Sequence, residues 1–125
     1  MQNAPHFQTI STTIDAKVAG AFVIDTTHTA GRFYPMWATF EVIEADTVLT
    51  VPTVSIGTNA TSYNNILTAS VLTGLNTLNK FLNTSTLQTA VADSVAPNTA
   101  IRVNVVLGAA GGECQLRVML HGFYF

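Results

Sequence analysis

The sequence predicts an all-β fold, an antiparallel two-sheet sandwich of jelly-roll type with about eight strands, and three observations carry that expectation. Apolar and polar residues alternate with period two through most of the chain, as Ile101, Val103, Val105 and Leu107 do against Arg102 and Asn104. The alternating runs are short, and Gly, Pro, Asn and Thr clusters punctuate them. Helical spacing shows in one place, Leu72, Leu75, Leu78, Phe81 and Leu82, where Gly74 and the asparagines favour a short helical turn or an irregular crossover over a long helix. A different β-sandwich topology is the second choice. The Cys-Trp-Cys framework of an immunoglobulin domain is excluded, because the chain holds one cysteine.

Residues 1–7, with Pro5 and no charge, read as an N-terminal arm, and residues 8–125 as the sandwich domain. From Gln8, Ile10, Ile14, Ala16 and Val18 oppose Thr9, Ser11, Thr13, Asp15 and Lys17, giving an amphipathic strand. Gly20 interrupts it, Ala21–Ile24 forms a second apolar run, and Asp25–Gly31 a polar loop. Arg32–Trp37 is the densest aromatic stretch and continues as a strand to Glu44. Its Tyr34-Pro35 step requires an extended backbone, so the strand enters at an edge or after a bulge. Val48–Val51 and Val54–Gly57 are further strands. The Thr, Ser and Asn residues of Thr58–Asn65 favour a loop held by side-chain-to-backbone bonds, and Ile66–Leu72 follows. Thr84–Val95 fits helix or strand, with strand favoured by its surroundings.

Ala96–Thr99 is a tight turn that launches the last two runs. Gly111-Gly112 lies between them, and they read as a β-hairpin. In the final run Cys114, Leu116, Val118, Leu120 and Tyr124 share one face, and Gln115, Arg117, Met119, His121 and Phe123 the other. From Met119 onward both faces carry apolar or aromatic side chains. That end therefore needs cover on both sides, from the rest of the fold or from another chain.

A length of 125 residues suits one domain. Only 10% of residues are charged and 48% are hydrophobic, against about 25% charged in an average soluble protein. A net charge of −2, with five scattered basic residues, argues against direct nucleic-acid binding. No apolar stretch approaches the roughly 18 residues of a membrane-spanning helix. The first residues lack the basic and apolar regions of a secretory signal, so synthesis in a cytoplasm is expected.

Chemistry is sparse. His6, His28 and His121 are far apart and pair with no cysteine or carboxylate at ligand spacing, so no metal site is expected. Glu41 and Glu44 fall on opposite faces of a regular strand and do not form a glycosidase pair; a calcium site with Asp46 is a minor alternative. Cys114, on the apolar face, reads as a buried, inert thiol. No phosphate loop and no Gly-x-Ser-x-Gly elbow occurs, and the sequons at Asn59 and Asn83 read as chance matches. No catalytic residue and no cofactor is assigned. Core packing is the commoner fate of Phe33, Tyr34 and Trp37, although Tyr34 and Trp37 are the residues suited to stacking a sugar ring.

The runs Pro52–Asn59, Tyr63–Ile66, Val95–Val105 and Leu116–Tyr124 give the last three-fifths of the chain a texture that resembles the small β-sandwich structural proteins of tailed-phage virions, the cement or decoration proteins of capsid shells. The resemblance implies a virion protein on the capsid surface, made in the host cytoplasm, without enzymatic activity. Its partners would be the major capsid protein and itself, as a trimer or dimer, with no direct nucleic-acid or membrane contact. Met119, His121, Phe123 and Phe125 are then the candidate interface residues. The rival reading is a tail or fibre module that recognises a glycan or cell-surface receptor through Tyr34 and Trp37. A small hydrolase is a distant third.

Overall fold

Ten strands appear in the computed structural model, which describes residues 6–84 and 94–125: β1 (His6–Asp15), β2 (Gly20–Thr26), β3 (Phe33–Ala45), β4 (Val48–Thr50), β5 (Thr53–Gly57), β6 (Leu67–Val71), β7 (Phe81–Thr84), β8 (Ala100–Leu107), β9 (Ala110–Gly111) and β10 (Cys114–Tyr124). There is no helix among the described residues. Two four-stranded antiparallel sheets have the orders β1-β10-β3-β7 and β2-β8-β5-β6, and β4 and β9 form a two-stranded ribbon. Leaving out that ribbon, the eight longer strands alternate between the sheets in the order of a jelly roll, as the sequence predicts.

The alternation decides what goes inside. Ile10 and Ile14 of β1, Ala38, Phe40 and Val42 of β3, and Leu116, Val118 and Leu120 of β10 face Val54 and Ile56 of β5 and Ile101, Val103 and Val105 of β8, all of them buried. Of the segment with helical spacing, Leu72 and Leu75 are buried and Leu78 and Phe81 exposed. It runs as an irregular crossover from β6 to β7. Most of Thr84–Val95 lies outside the described residues; Val95 itself bridges Phe33. The loop Thr58–Asn65 is tied as its composition suggests: the Asn59 side-chain oxygen accepts the N–H of Asn64 at 2.8 Å, and that of Asn65 accepts the N–H of Thr58 at 2.8 Å.

Three expectations are corrected. The last two long strands do not form a hairpin: β8 sits between β2 and β5 in one sheet, β10 between β1 and β3 in the other. Each has an apolar face to bury against the opposite sheet and finds better partners by crossing over. The Gly111 region serves that crossover, at φ +111°, where a Cβ would come within 2.0 Å of the Thr47 carbonyl oxygen. Secondly, the arm foreseen over residues 1–7 is strand from His6, with Phe7 paired to Phe123; residues 1–5 lie outside the described residues.

Thirdly, Glu41 and Glu44 do not keep opposite faces. A register shift between Gln115 and Leu116 sets Glu44 opposite Gln115 and Glu41 opposite Arg117, two positions of β10 that share its outer side. A second shift, between His121 and Gly122, leaves Met36 unpaired beside Pro35 and supplies the bulge that the Tyr34-Pro35 step requires. β7 pairs only with Ala38–Glu41, so the proline has no ladder to interrupt on that side.

Candidate functional site

The outer face of the first sheet gathers the chain's aromatic side chains. Because a strand alternates, the same periodicity that turns Leu116, Val118 and Leu120 inward turns Arg117, Met119, His121 and Phe123 outward. β1 brings Phe7 opposite Phe123 and Thr9 opposite His121, and β3 brings Trp37 to the other side of His121. Trp37 and His121 stack at 4.7 Å between centroids, Phe7 lies 5.7 Å from Trp37, and Phe123 meets Phe7 edge-on at 5.6 Å. At the rim, Phe125 meets Tyr34 edge-on at 5.4 Å. The Phe125 backbone is latched to Arg32 by a reciprocal pair of hydrogen bonds of 2.9 and 3.1 Å.

The residues expected at an interface and those expected to stack a ligand thus share one surface. Met119, His121, Phe123, Tyr34 and Trp37 are half-buried, whereas Phe125 is 55% exposed. Of the early aromatic stretch, only Phe33 enters the core. Phe7, 49% exposed, is the member that sequence reasoning missed, having been assigned to an arm. Its signal was present: it heads the outward row Thr9, Ser11, Thr13, the one apolar residue in an otherwise hydroxylated series.

A polar chain crosses the patch and ties all four strands. Thr39 Oγ1 donates to Asn83 Oδ1 at 2.6 Å, so its only proton is committed and it accepts from His121 Nε2–H at 2.9 Å. His121 Nδ1 then accepts the Thr9 hydroxyl at 2.8 Å. The chain Thr9–His121–Thr39–Asn83 therefore assigns the neutral Nε2–H tautomer. Burial lowers the His121 pKa from its ordinary value, in the same direction.

With the folded pKa below the unfolded one, the unfolded chain takes up the proton first as pH falls. The contribution of His121 to stability is complete above about pH 6.5, the unfolded value, and is lost as pH drops toward the folded pKa. Urea denaturation at a series of pH values between about 7.5 and 5 should show His121→Gln losing less stability on acidification than the native chain. Equal losses in the two proteins would remove His121 from the account.

The remaining groups are committed elsewhere. Glu41 pairs with Arg117 at 2.7 Å on the sheet surface. His28 stacks on Tyr124 at 3.9 Å between centroids, with His6 5.9 Å away on the same tyrosine. Burial raises the Tyr124 pKa. Cys114 is fully buried, and burial, then the nearby Asp15 charge, raises its thiol pKa, which suits an unreactive side chain. Among the described residues no three His, Cys, Asp or Glu side chains converge as a metal site would require. The surface is built for contact.

No family model matches the chain, and no curated protein matches it in sequence. Solved structures do. A chain of "Cyanophage Pam1 capsid asymmetric unit" superposes with a TM-score of 0.58 at 21% identity, over 97% of this chain and 84% of that one. A chain of "Acidic stable capsid structure of Helicobacter pylori bacteriophage KHP30" gives 0.63 at 11% identity, over 95% and 87%. A chain of "Capsid of Ralstonia phage GP4" gives 0.63 at 15% identity, over 97% and 84%. At such identities the likeness is one of fold: this chain shares, over nearly its full length, the sandwich of chains found in bacteriophage capsids.

Proposed function

We propose that the protein is a structural component of a bacteriophage capsid, a cement or decoration protein that binds the major capsid shell and stabilises it as a homo-oligomer. The observation that carries this reading is the aromatic outer face of the first sheet, where Phe7, Trp37, His121 and Phe123 form one cluster on a rigid, hydrogen-bonded platform. Aromatic side chains with a polar rim are the usual core of a protein interface, and half-exposed ones lose little conformational freedom when covered. The chain's low charge suits the same role, because each unpaired charge trapped beneath a partner would cost several kcal/mol. The likeness to chains of capsid structures agrees with it.

The glycan-binding reading is less well supported by the same geometry. Trp37 already stacks on His121 and neighbours Phe7, so its ring is not an open platform for a sugar. The test is co-sedimentation of the purified protein with expanded, DNA-free shells assembled from the accompanying major capsid protein. The native chain should bind. Trp37→Ala, folded by circular dichroism, should bind about 30-fold more weakly or worse, as expected for loss of a central aromatic anchor. Native protein that ignores the shells overturns the proposal, and glycan binding abolished by Trp37→Ala would favour the tail-module alternative.

A further inference from the structure

Four strands border the two sheets, and β1 differs from the others. β7 pairs over four residues, and the pairings of β2 and β6 are each broken by a register shift. β1 runs for ten residues with an unbroken register against β10. Natural sheets defend exposed edges with charges, prolines, bulges or shortness. Between Phe7 and Ile14 this edge has none of these.

The phase of its hydrogen bonds follows from one contact. Ala16 N–H donates to the Cys114 carbonyl at 2.9 Å, one step beyond the Asp15–Gln115 pair. Antiparallel ladders alternate bonded and non-bonded pairs, so the even-numbered residues of β1 bond to β10. Phe7, Thr9, Ser11 and Thr13 direct their N–H and C=O groups away from it. The close Thr9–His121 side-chain contact is what a non-bonded pair should show. Among the described residues those outward groups meet no backbone partner.

We infer that this edge is an interface between two copies of the chain, with β1 pairing antiparallel to the partner's β1 about a two-fold axis through Ser11. The inference rests on backbone geometry and does not depend on the shell reading. Self-pairing is favoured over a strand from another protein by the order of the outward residues. About Ser11, Thr9 falls opposite the partner's Thr13, and Ser11 opposite the partner's Ser11. Hydroxyls therefore meet hydroxyls at each outer position, and each can donate and accept. The axis places Asp15 opposite the partner's Phe7, so no like charges meet. Outer faces remain outer faces, since odd residues pair with odd ones. The product is one continuous eight-stranded sheet, closed by about six new backbone hydrogen bonds around the axis.

Light scattering on the purified full chain, with two substitutions at the axis, tests this. Ser11→Pro removes an outward N–H and leaves the bonds to β10 intact, a place where a strand tolerates proline. The native chain should show the mass of an even number of copies, and Ser11→Pro half of it with an unchanged circular dichroism spectrum. Ser11→Cys should form an intermolecular disulfide under mild oxidation, because residues paired on the axis lie about 5.5 Å apart at Cα. Thr13→Cys should not, since its counterpart lies several residues away across the axis; the native Cys114 is buried and does not interfere. A native monomer at all concentrations, an odd-numbered assembly, or a Ser11→Pro variant of unchanged mass would overturn the inference. So would equal cross-linking of the two cysteine variants.

Discussion

Replacing Phe40 by alanine is expected to remove about 3–5 kcal/mol of unfolding free energy, a large part of the roughly 5–15 kcal/mol that holds a domain of this size folded. Phe40 is fully buried on β3, opposite Val118 of β10 on one side and Leu82 of β7 on the other. It faces the second sheet across the middle of the sandwich. Each sheet is rigid, and a cavity there can close only if two hydrogen-bonded layers approach, so most of the lost contact stays lost. The chain should melt about 10 °C or more below the native protein. Urea denaturation should give a lower midpoint with an unchanged slope. Phe40→Leu, which keeps most of the volume, should cost much less. A loss below about 1 kcal/mol for Phe40→Ala would mean that the sheets do relax and that the core is less tightly packed than described.

Gly122→Ala should be nearly as damaging, for the opposite reason. A Cβ at Gly122 would lie 2.3 Å from the Tyr34 carbonyl oxygen and 2.8 Å from Phe33 Cζ. The first obstacle is backbone and the second belongs to a fully buried ring, so neither yields without moving the bulge around Pro35. Overpacking of this kind costs about 1–3 kcal/mol and sometimes more, and the upper part of that range is expected here. The displacement would also reach the aromatic patch, because the same bulge sets the positions of Tyr34 and Trp37. Trp37 is the chain's single tryptophan, so its emission reports on the patch alone. Gly122→Ala should shift that emission in the folded protein, whereas Phe40→Ala should leave it near the native spectrum.

Burial direction was legible in the sequence; neighbourhood was not. The period-two pattern of Cys114–Tyr124 told which side chains go inside, and every one of Leu116, Val118 and Leu120 is there. It could not tell whether the strand pairs with Ile101–Leu107 or faces it across the core, because both arrangements bury the same side chains. A turn between two alternating runs suggests a hairpin on local grounds, and here the demand of each sheet for central strands won. Glu41 and Glu44 failed through a single unpaired residue: a bulge inverts the face of whatever follows it, and no residue type in that stretch announces one. The patch was half visible. Met119, His121 and Phe123 were picked out because an outward row should not be apolar, and Trp37 and Tyr34 because of their ring chemistry. That both sets lie on one surface required the β1-β10-β3 order, which only the assembled sheet supplies.

The position of β10 bears on how the molecule is made. The last strand of the ten is an inner strand of its sheet, and it pairs with the first, joining His6 to Tyr124. On a ribosome, β1 and β3 emerge early and wait for the strand that must lie between them, while the neighbours of β5 in the second sheet can already assemble. Contacts so distant in sequence make folding slow, in the range of milliseconds to seconds for all-β domains, and leave apolar faces uncovered in the interval. Completion of the first sheet, and with it of the aromatic surface, is therefore expected to be a late event in the life of each newly synthesised chain.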